Sequence, residues 1–193
     1  MRKNKIIKTL LILCLTIGIL SAKEIKTELL KISNSEFTTN SFLYTPIGKI
    51  DKLNGTIELI ELTKLNNNNN NDKNKELFNL KTIQLEANLK SLKLSNHYLL
   101  NILKSKNYFN VKQFPKITMK SKKIKHSTII FEIKIKNITK EILFTIVKKN
   151  YKAKIKGLKL EGIINREDFE LEGKYSSLFS KEIILKINLY FKK

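Results

Sequence analysis

Thiol chemistry is nearly closed to this sequence, whose single cysteine, Cys14, lies in an apolar stretch near the N-terminus. One cysteine cannot make an internal disulfide, and it leaves no thiol pair to hold zinc. The two histidines, His97 and His126, stand in unrelated contexts, and no H-x-x-H or H-E-x-x-H run occurs, so no metal site is expected. Tryptophan is absent and most phenylalanines fall on apolar registers. The exposed aromatic platforms that single-stranded nucleic acid needs are therefore missing, and no nucleic-acid partner is expected. There is no Gly-rich phosphate loop, dinucleotide fingerprint or G-x-S-x-G elbow. The neighbouring carboxylates Glu167, Asp168 and Glu170 follow Asn165-Arg166 and read as a structural turn with an ion pair. No catalytic residue and no resident cofactor are expected, and the chain reads as a binder, not an enzyme. Two prolines and six glycines leave few breakers and no linker.

Acidic residues are also scarce: 17 Asp+Glu against 38 Lys+Arg give a net charge of +21. Such an excess suits an anionic partner such as a membrane surface or acidic polysaccharide. The lysines, however, alternate with apolar residues, as in Phe131-Glu-Ile-Lys-Ile-Lys136, which is how a solvated sheet face reads.

Arg2, Lys3, Lys5 and Lys8 precede an apolar run from Thr9 to Leu20, and small Ser21 and Ala22 follow. This is the pattern of an export signal cleaved before Lys23. The run is short for a membrane span of about 20 residues, and bulky Leu13 before Cys14 argues against a lipoprotein signal. The expected organisation is a signal peptide over 1–22 and one domain over 23–193, placed in the periplasm. Within it, Asn66 to Lys75 is polar and repetitive and reads as a mobile hairpin loop.

The remainder alternates with period two and is rich in β-branched residues. Strands are expected around 56–62, 83–89, 117–121, 129–136, 142–146, 158–164 and 183–191. On the last, Ile183, Leu185, Ile187, Leu189 and Phe191 share one face. One segment is helical: between Asn96 and Lys104 the apolar residues Tyr98, Leu99, Ile102 and Leu103 make one stripe, with Ser95 placed as N-cap. A second short helical turn is expected from Asn107 to Phe114, ending before Pro115. Seven or eight antiparallel strands can bury their oily faces in a sandwich or a barrel.

Three stretches together resemble the YceI-like family. The first runs from Leu103-Lys-Ser through Tyr108-Phe109-Asn110 and Phe114-Pro115 to Met119-Lys120-Ser121. The second, Ile133 to Ile142, is similar to the family's Gly-Val-Thr-Lys-Pro hairpin, with Asn137 and Glu141 in the Gly and Pro places. The third, Ile164-Asn165-Arg166-Glu167-Asp168-Phe169, is similar to its Ile-x-Arg-x-Asp-Phe-Gly turn, with Glu170 in the final Gly place. There Glu170 is strained if the backbone needs positive φ. Lys49 to Ile57 matches the place of the family's first hairpin. The family's polar helix residues are replaced by Leu99, Leu100 and Ile102.

The resemblance implies an all-β, lipocalin-like antiparallel barrel of about eight strands, with the helical segment packed against it. It further implies a long apolar interior that holds a polyisoprenoid, a quinone-like tail or a fatty lipid, and a homodimer as one assembly. The expected lining residues are Phe109, Phe114, Met119, Phe131, Ile133, Phe144, Ile146, Leu160 and Phe169, with Leu185, Ile187 and Leu189 from the last strand. The competing expectation is a basic periplasmic or surface adhesion module, whose packed barrel takes no ligand and whose lysines bind anionic partners.

Overall fold

The computed structural model describes residues 25–29, 34–39, 47–62, 77–150 and 155–192. The expected leader (1–22) and the Asn-rich stretch (66–75) lie outside the described residues. All strands among the described residues join one antiparallel sheet. They are β1 (Ile25–Leu29), β2 (Asn34–Thr38), β3 (Ile47–Ile50), β4 (Leu53–Leu62), β5 (Leu77–Asn88), β6 (Leu92–Leu94), β7 (Lys116–Ile124), β8 (Thr128–Ile135), β9 (Ile138–Asn150), β10 (Ile155–Asn165) and β11 (Glu182–Lys192). One helix, α1 (His97–Lys104), follows β6.

The sheet order is β1-β4-β5-β7-β8-β9-β10-β11-β2-β3-β6. Chain connectivity forces this sheet to curl. β5 and β6 stand eight steps apart in that order, yet only the single turn Leu89–Ser91 joins them. At about 4.8 Å per step, a flat sheet would hold them about 40 Å apart. The linker can span only about 14 Å. The same holds for β3 and β4, also eight steps apart and joined through Asp51 and Lys52. The two linkers are fastened to each other: Asn88 N donates to the Lys52 carbonyl (3.0 Å) and Lys52 N donates to Ser91 Oγ (3.1 Å). β1 also lies beside β11. Eight strands thus run round the barrel, and β2, β3 and β6 continue from β11 as a short flap.

The seven long strands are those that period-two alternation marks. The short ones, β1, β2, β3 and β6, span three to five residues, too few for a period to register. Lys49 to Ile57 is not a hairpin. β3 pairs with β2 and β6, while β4 pairs with β1 and β5, so the chain turns a barrel corner there.

Inward residues form one apolar cluster from Ile50 to Phe191. In β8 the alternation is complete, with Ile129, Phe131, Ile133 and Ile135 buried. Outward positions carry lysines held in ion pairs such as Lys49–Glu36 (3.0 Å), Lys116–Glu86 (2.9 Å) and Lys122–Glu132 (3.3 Å). Glycine recurs where an inward ring needs room. The Phe144 ring lies against Gly162 on the neighbouring strand, and the Phe37 ring covers Gly48 in the same cross-strand way.

Local caps differ in detail from the sequence pattern. Asn96, not Ser95, caps α1: its backbone is extended and its side chain accepts from Leu99 N at 3.1 Å. Residues 107–114 make successive hydrogen-bonded turns and no helix, because Asn110 sits at φ 49° and interrupts the right-handed path. In the β8–β9 turn the positive φ (53°) falls on Lys136, not Asn137. Glu170 does occupy the left-handed region (φ 51°, ψ 40°) that a family glycine would fill without strain. Lys136 Nζ donates to the Glu170 carbonyl at 2.8 Å, clipping the two left-handed residues together.

A side chain at Glu170's φ costs about 1–2 kcal/mol, and glycine's extra freedom in the unfolded chain returns about half of that. Glu170→Gly is therefore expected to stabilise by about 0.5–1 kcal/mol, raising Tm by roughly 2 °C. The Lys136 bond should survive because its acceptor is a backbone carbonyl. A thermal melt with unchanged or lower Tm would show that this backbone is unstrained.

Candidate functional site

At one end of the barrel the core is not filled, leaving an apolar cavity of about 130 Å³. The walls come from consecutive inward positions near strand ends: Ile117 and Met119 on β7, Ile133 and Ile135 on β8, Ile164 on β10, and Ile183 and Leu185 on β11. The flap adds Phe37, Ile50, Leu92 and Leu94. Ile183 and Leu185 remain half-buried because they face this space, whereas Ile187, Leu189 and Phe191 farther along β11 are buried.

Two elements cover the end. Helix α1 presents Leu99, Ile102 and Leu103, the i, i+3, i+4 stripe of an amphipathic helix. Its short length leaves all three half-buried against the cavity. The second element is the connection from Arg166 to Lys181, which contributes Leu171, Tyr175, Ser176 and Phe179. The two covers meet where the Tyr98 and Tyr175 hydroxyls hydrogen-bond at 2.7 Å, their rings edge to face. That bond holds the Tyr98 phenol above its ordinary pKa, with desolvation and repulsion from Tyr175 adding to it. The Tyr98 phenol therefore stays protonated at neutral pH.

Among the described lining residues Arg166 is the one charged side chain, and each of its three nitrogens is bonded within the chain. Nη1 pairs with Glu172 Oε1 at 3.1 Å, Nη2 donates to the Ser176 carbonyl at 3.0 Å, and Nε donates to the Ser180 carbonyl at 3.3 Å. This turn does carry ion pairs, but Arg166 pairs with Glu172 and not with the neighbouring carboxylates, while Glu167 pairs with Lys181 at 2.9 Å. Ser176 Oγ accepts from Gly173 N and meets Tyr108 Oη, so this connection is held from several sides. The surface exposed to the cavity is almost wholly apolar. It can sequester hydrocarbon, and it presents no free charge to a headgroup. Among the described residues no group of His, Cys, Asp and Glu could hold a metal ion.

Of the twelve residues expected to line a ligand, the structure brings Phe109, Met119, Ile133 and Leu185 together around this cavity. Phe131, Phe144, Leu160, Phe169, Ile187 and Leu189 are buried in the packed remainder of the core. Phe114 and Ile146 are half-buried away from the cavity. The packing has a clear cause: Phe131 and Phe144 stack edge to face at 5.3 Å and fill the middle of the barrel. Sequence reasoning missed the flap, whose strands are too short to show a period. It noted the α1 stripe only as helix packing, although that stripe carried the signal for Leu99, Ile102 and Leu103.

A family model described as a YceI-like domain matches residues 30–191. Among solved structures, Burkholderia cenocepacia BcnA is 14% identical with a TM-score of 0.60, covering 82% of this chain and 95% of that one. A Campylobacter jejuni YCEI protein is 23% identical with a TM-score of 0.50, covering 60% and 74%. A polyisoprenoid-binding domain from Saccharophagus degradans, implicated in plant cell wall breakdown, is 10% identical with a TM-score of 0.54, covering 88% and 99%. At these identities the structural likenesses show the shared fold. No curated protein matches the chain.

Removing the Arg166 guanidinium takes one donor from the Ser176 carbonyl, which keeps Phe179 N (3.2 Å), and one from the Ser180 carbonyl, which keeps Thr39 Oγ1 (3.3 Å), and it frees Glu172 to solvent. Arg166→Ala is expected to destabilise by about 1–2 kcal/mol and to make residues 172–180 a preferred site of limited proteolysis. Wild-type stability together with an unchanged cleavage pattern would contradict this account of how the cover is pinned.

Proposed function

The chain belongs to the YceI-like family, and from that membership and the geometry of its cavity we propose that it is an exported lipid-binding protein, not an enzyme. The ligand is a polyisoprenoid or similar apolar chain whose hydrocarbon enters the barrel end beneath α1. One observation carries this reading: a cavity with almost wholly apolar walls, where the single charged lining residue among the described ones, Arg166, is already bonded to its own chain. Dry apolar cavities of this kind take apolar guests, and each buried methylene contributes about 0.8 kcal/mol. The fold shared with a polyisoprenoid-binding domain supports an isoprenoid in particular. The interior also favours this reading over a basic adhesion module with a filled barrel.

Export rests on the N-terminal pattern: positive residues up to Lys8, an apolar run, then Ser21-Ala22. Cleavage after Ala22 would deliver the barrel to the periplasm, where its surplus lysines suit brief contact with an anionic membrane carrying the lipid.

Protein purified from its native compartment without detergent is expected to yield, on solvent extraction and mass spectrometry, a stoichiometric apolar lipid. Its polypeptide mass should correspond to a chain beginning at Lys23. Protein that is empty as isolated and also fails to take up polyprenols or quinones would sink the lipid assignment. An intact N-terminus would sink the export assignment alone.

A further inference from the structure

The cavity is short, and its floor can be named. On four strands the last residue facing it is followed, two positions on, by an inward residue that does not. Met119 is followed by Ser121 on β7, Ile133 by Phe131 on β8, Ile164 by Gly162 on β10, and Leu185 by Ile187 on β11. On β7 and β8 the register puts the step at one level, since Met119 pairs with Ile133 and Ser121 with Phe131, while on β10 and β11 it is staggered by one inward position, with Leu185 opposite Gly162. At that level the Phe131 ring meets Phe144 edge to face, and Phe144 occupies the space that the missing Gly162 side chain leaves. Both rings are fully buried.

Resting on the lipid-binding reading, we infer that Phe131 and Phe144 form a floor that limits how much of an apolar chain the barrel encloses. The space of about 130 Å³ compares with the roughly 150 Å³ of an engineered cavity that holds benzene. It accepts about one five-carbon isoprene unit. A second unit lies in the entrance, between Leu99 and Ile102 on the helix and Tyr175 and Phe179 on the opposite cover. Further units project into solvent or membrane and add little. The protein therefore recognises the end of an isoprenoid tail and does not measure its full length.

Calorimetric titration of the whole protein with isopentenol, geraniol, farnesol and geranylgeraniol tests this. Geraniol is expected to bind at least tenfold more tightly than isopentenol, and the two longer alcohols within about threefold of geraniol. Each fully buried methylene is worth about fourfold in affinity. Farnesol binding tenfold or more tighter than geraniol would therefore overturn the floor while leaving lipid binding intact. Failure of all four alcohols to bind would overturn the lipid-binding reading and this inference with it. Phe131→Leu is expected to restore a gain of several-fold from geraniol to farnesol with little change for geraniol. A plateau at the same length in that variant would remove Phe131 from the role. Should it fail to fold, Phe144→Leu opens the same level from the facing strand, and the wild-type series decides the question by itself.

Discussion

Two linkers, Asp51-Lys52 and Leu89–Ser91, are too short to cross a flat sheet, and almost everything else in the structure follows from how they resolve that. They tie strands that lie eight steps apart in the hydrogen-bonded order, so the sheet has to bend until its far edge meets its near one. The bonds from Asn88 to Lys52 and from Lys52 to Ser91 then lock the two crossings side by side. Curling turns one face of every long strand inward and leaves the other to solvent. That is why a chain with so many lysines still builds a continuous apolar core. The same crossing carries β6 to the barrel end and delivers α1 over it, so the cover of the cavity follows from the closure itself.

Inside the closed wall, filling is uneven. One half is occupied by Phe131, Phe144, Leu160, Leu189 and Phe191, all fully buried. The other half is lined by Ile, Leu and Met with a few aromatics, which leave a cavity of about 130 Å³ between them. Arginine at 166 serves as internal scaffolding: one guanidinium ties a carboxylate and two carbonyls of the covering connection. Such a network keeps the mouth shaped without placing an unpaired charge in the oil.

Much of this was legible in the residues. The long strands showed themselves because an alternating row such as Ile129, Phe131, Ile133 and Ile135 has no other economical folding. The strain at Glu170 followed from a charged residue in a place suited to glycine, and its φ of 51° agrees. What was not legible has physical causes. The flap strands carry three to five residues each, too few for a period, and are defined only by partners far away in the chain. Alternation likewise identifies which side chains point inward but not the level at which they stop touching. A row that is uniform in sequence, such as Ile183 to Phe191, is therefore divided in space into a half lining a cavity and a half packed solid. The choice of Asn96 over Ser95 as cap, and of Lys136 over its neighbour for positive φ, turns on a one-residue shift that a pattern cannot resolve.

The pairing of β2 with β11 has a temporal side. Residues 34–38 find their partner in residues 184–188, about 150 positions later, while β7, β8 and β9 pair with immediate neighbours. Local hairpins can form within microseconds of their synthesis, but a contact of that separation carries the full loop-closure entropy and waits for the last strand. β2 and β3 can pair with each other early, but the β2 edge that meets β11 must remain open through nearly the whole of chain elongation. The cavity is thus the last part of the molecule to come into being, and a chain missing its final strand has hairpins but no container.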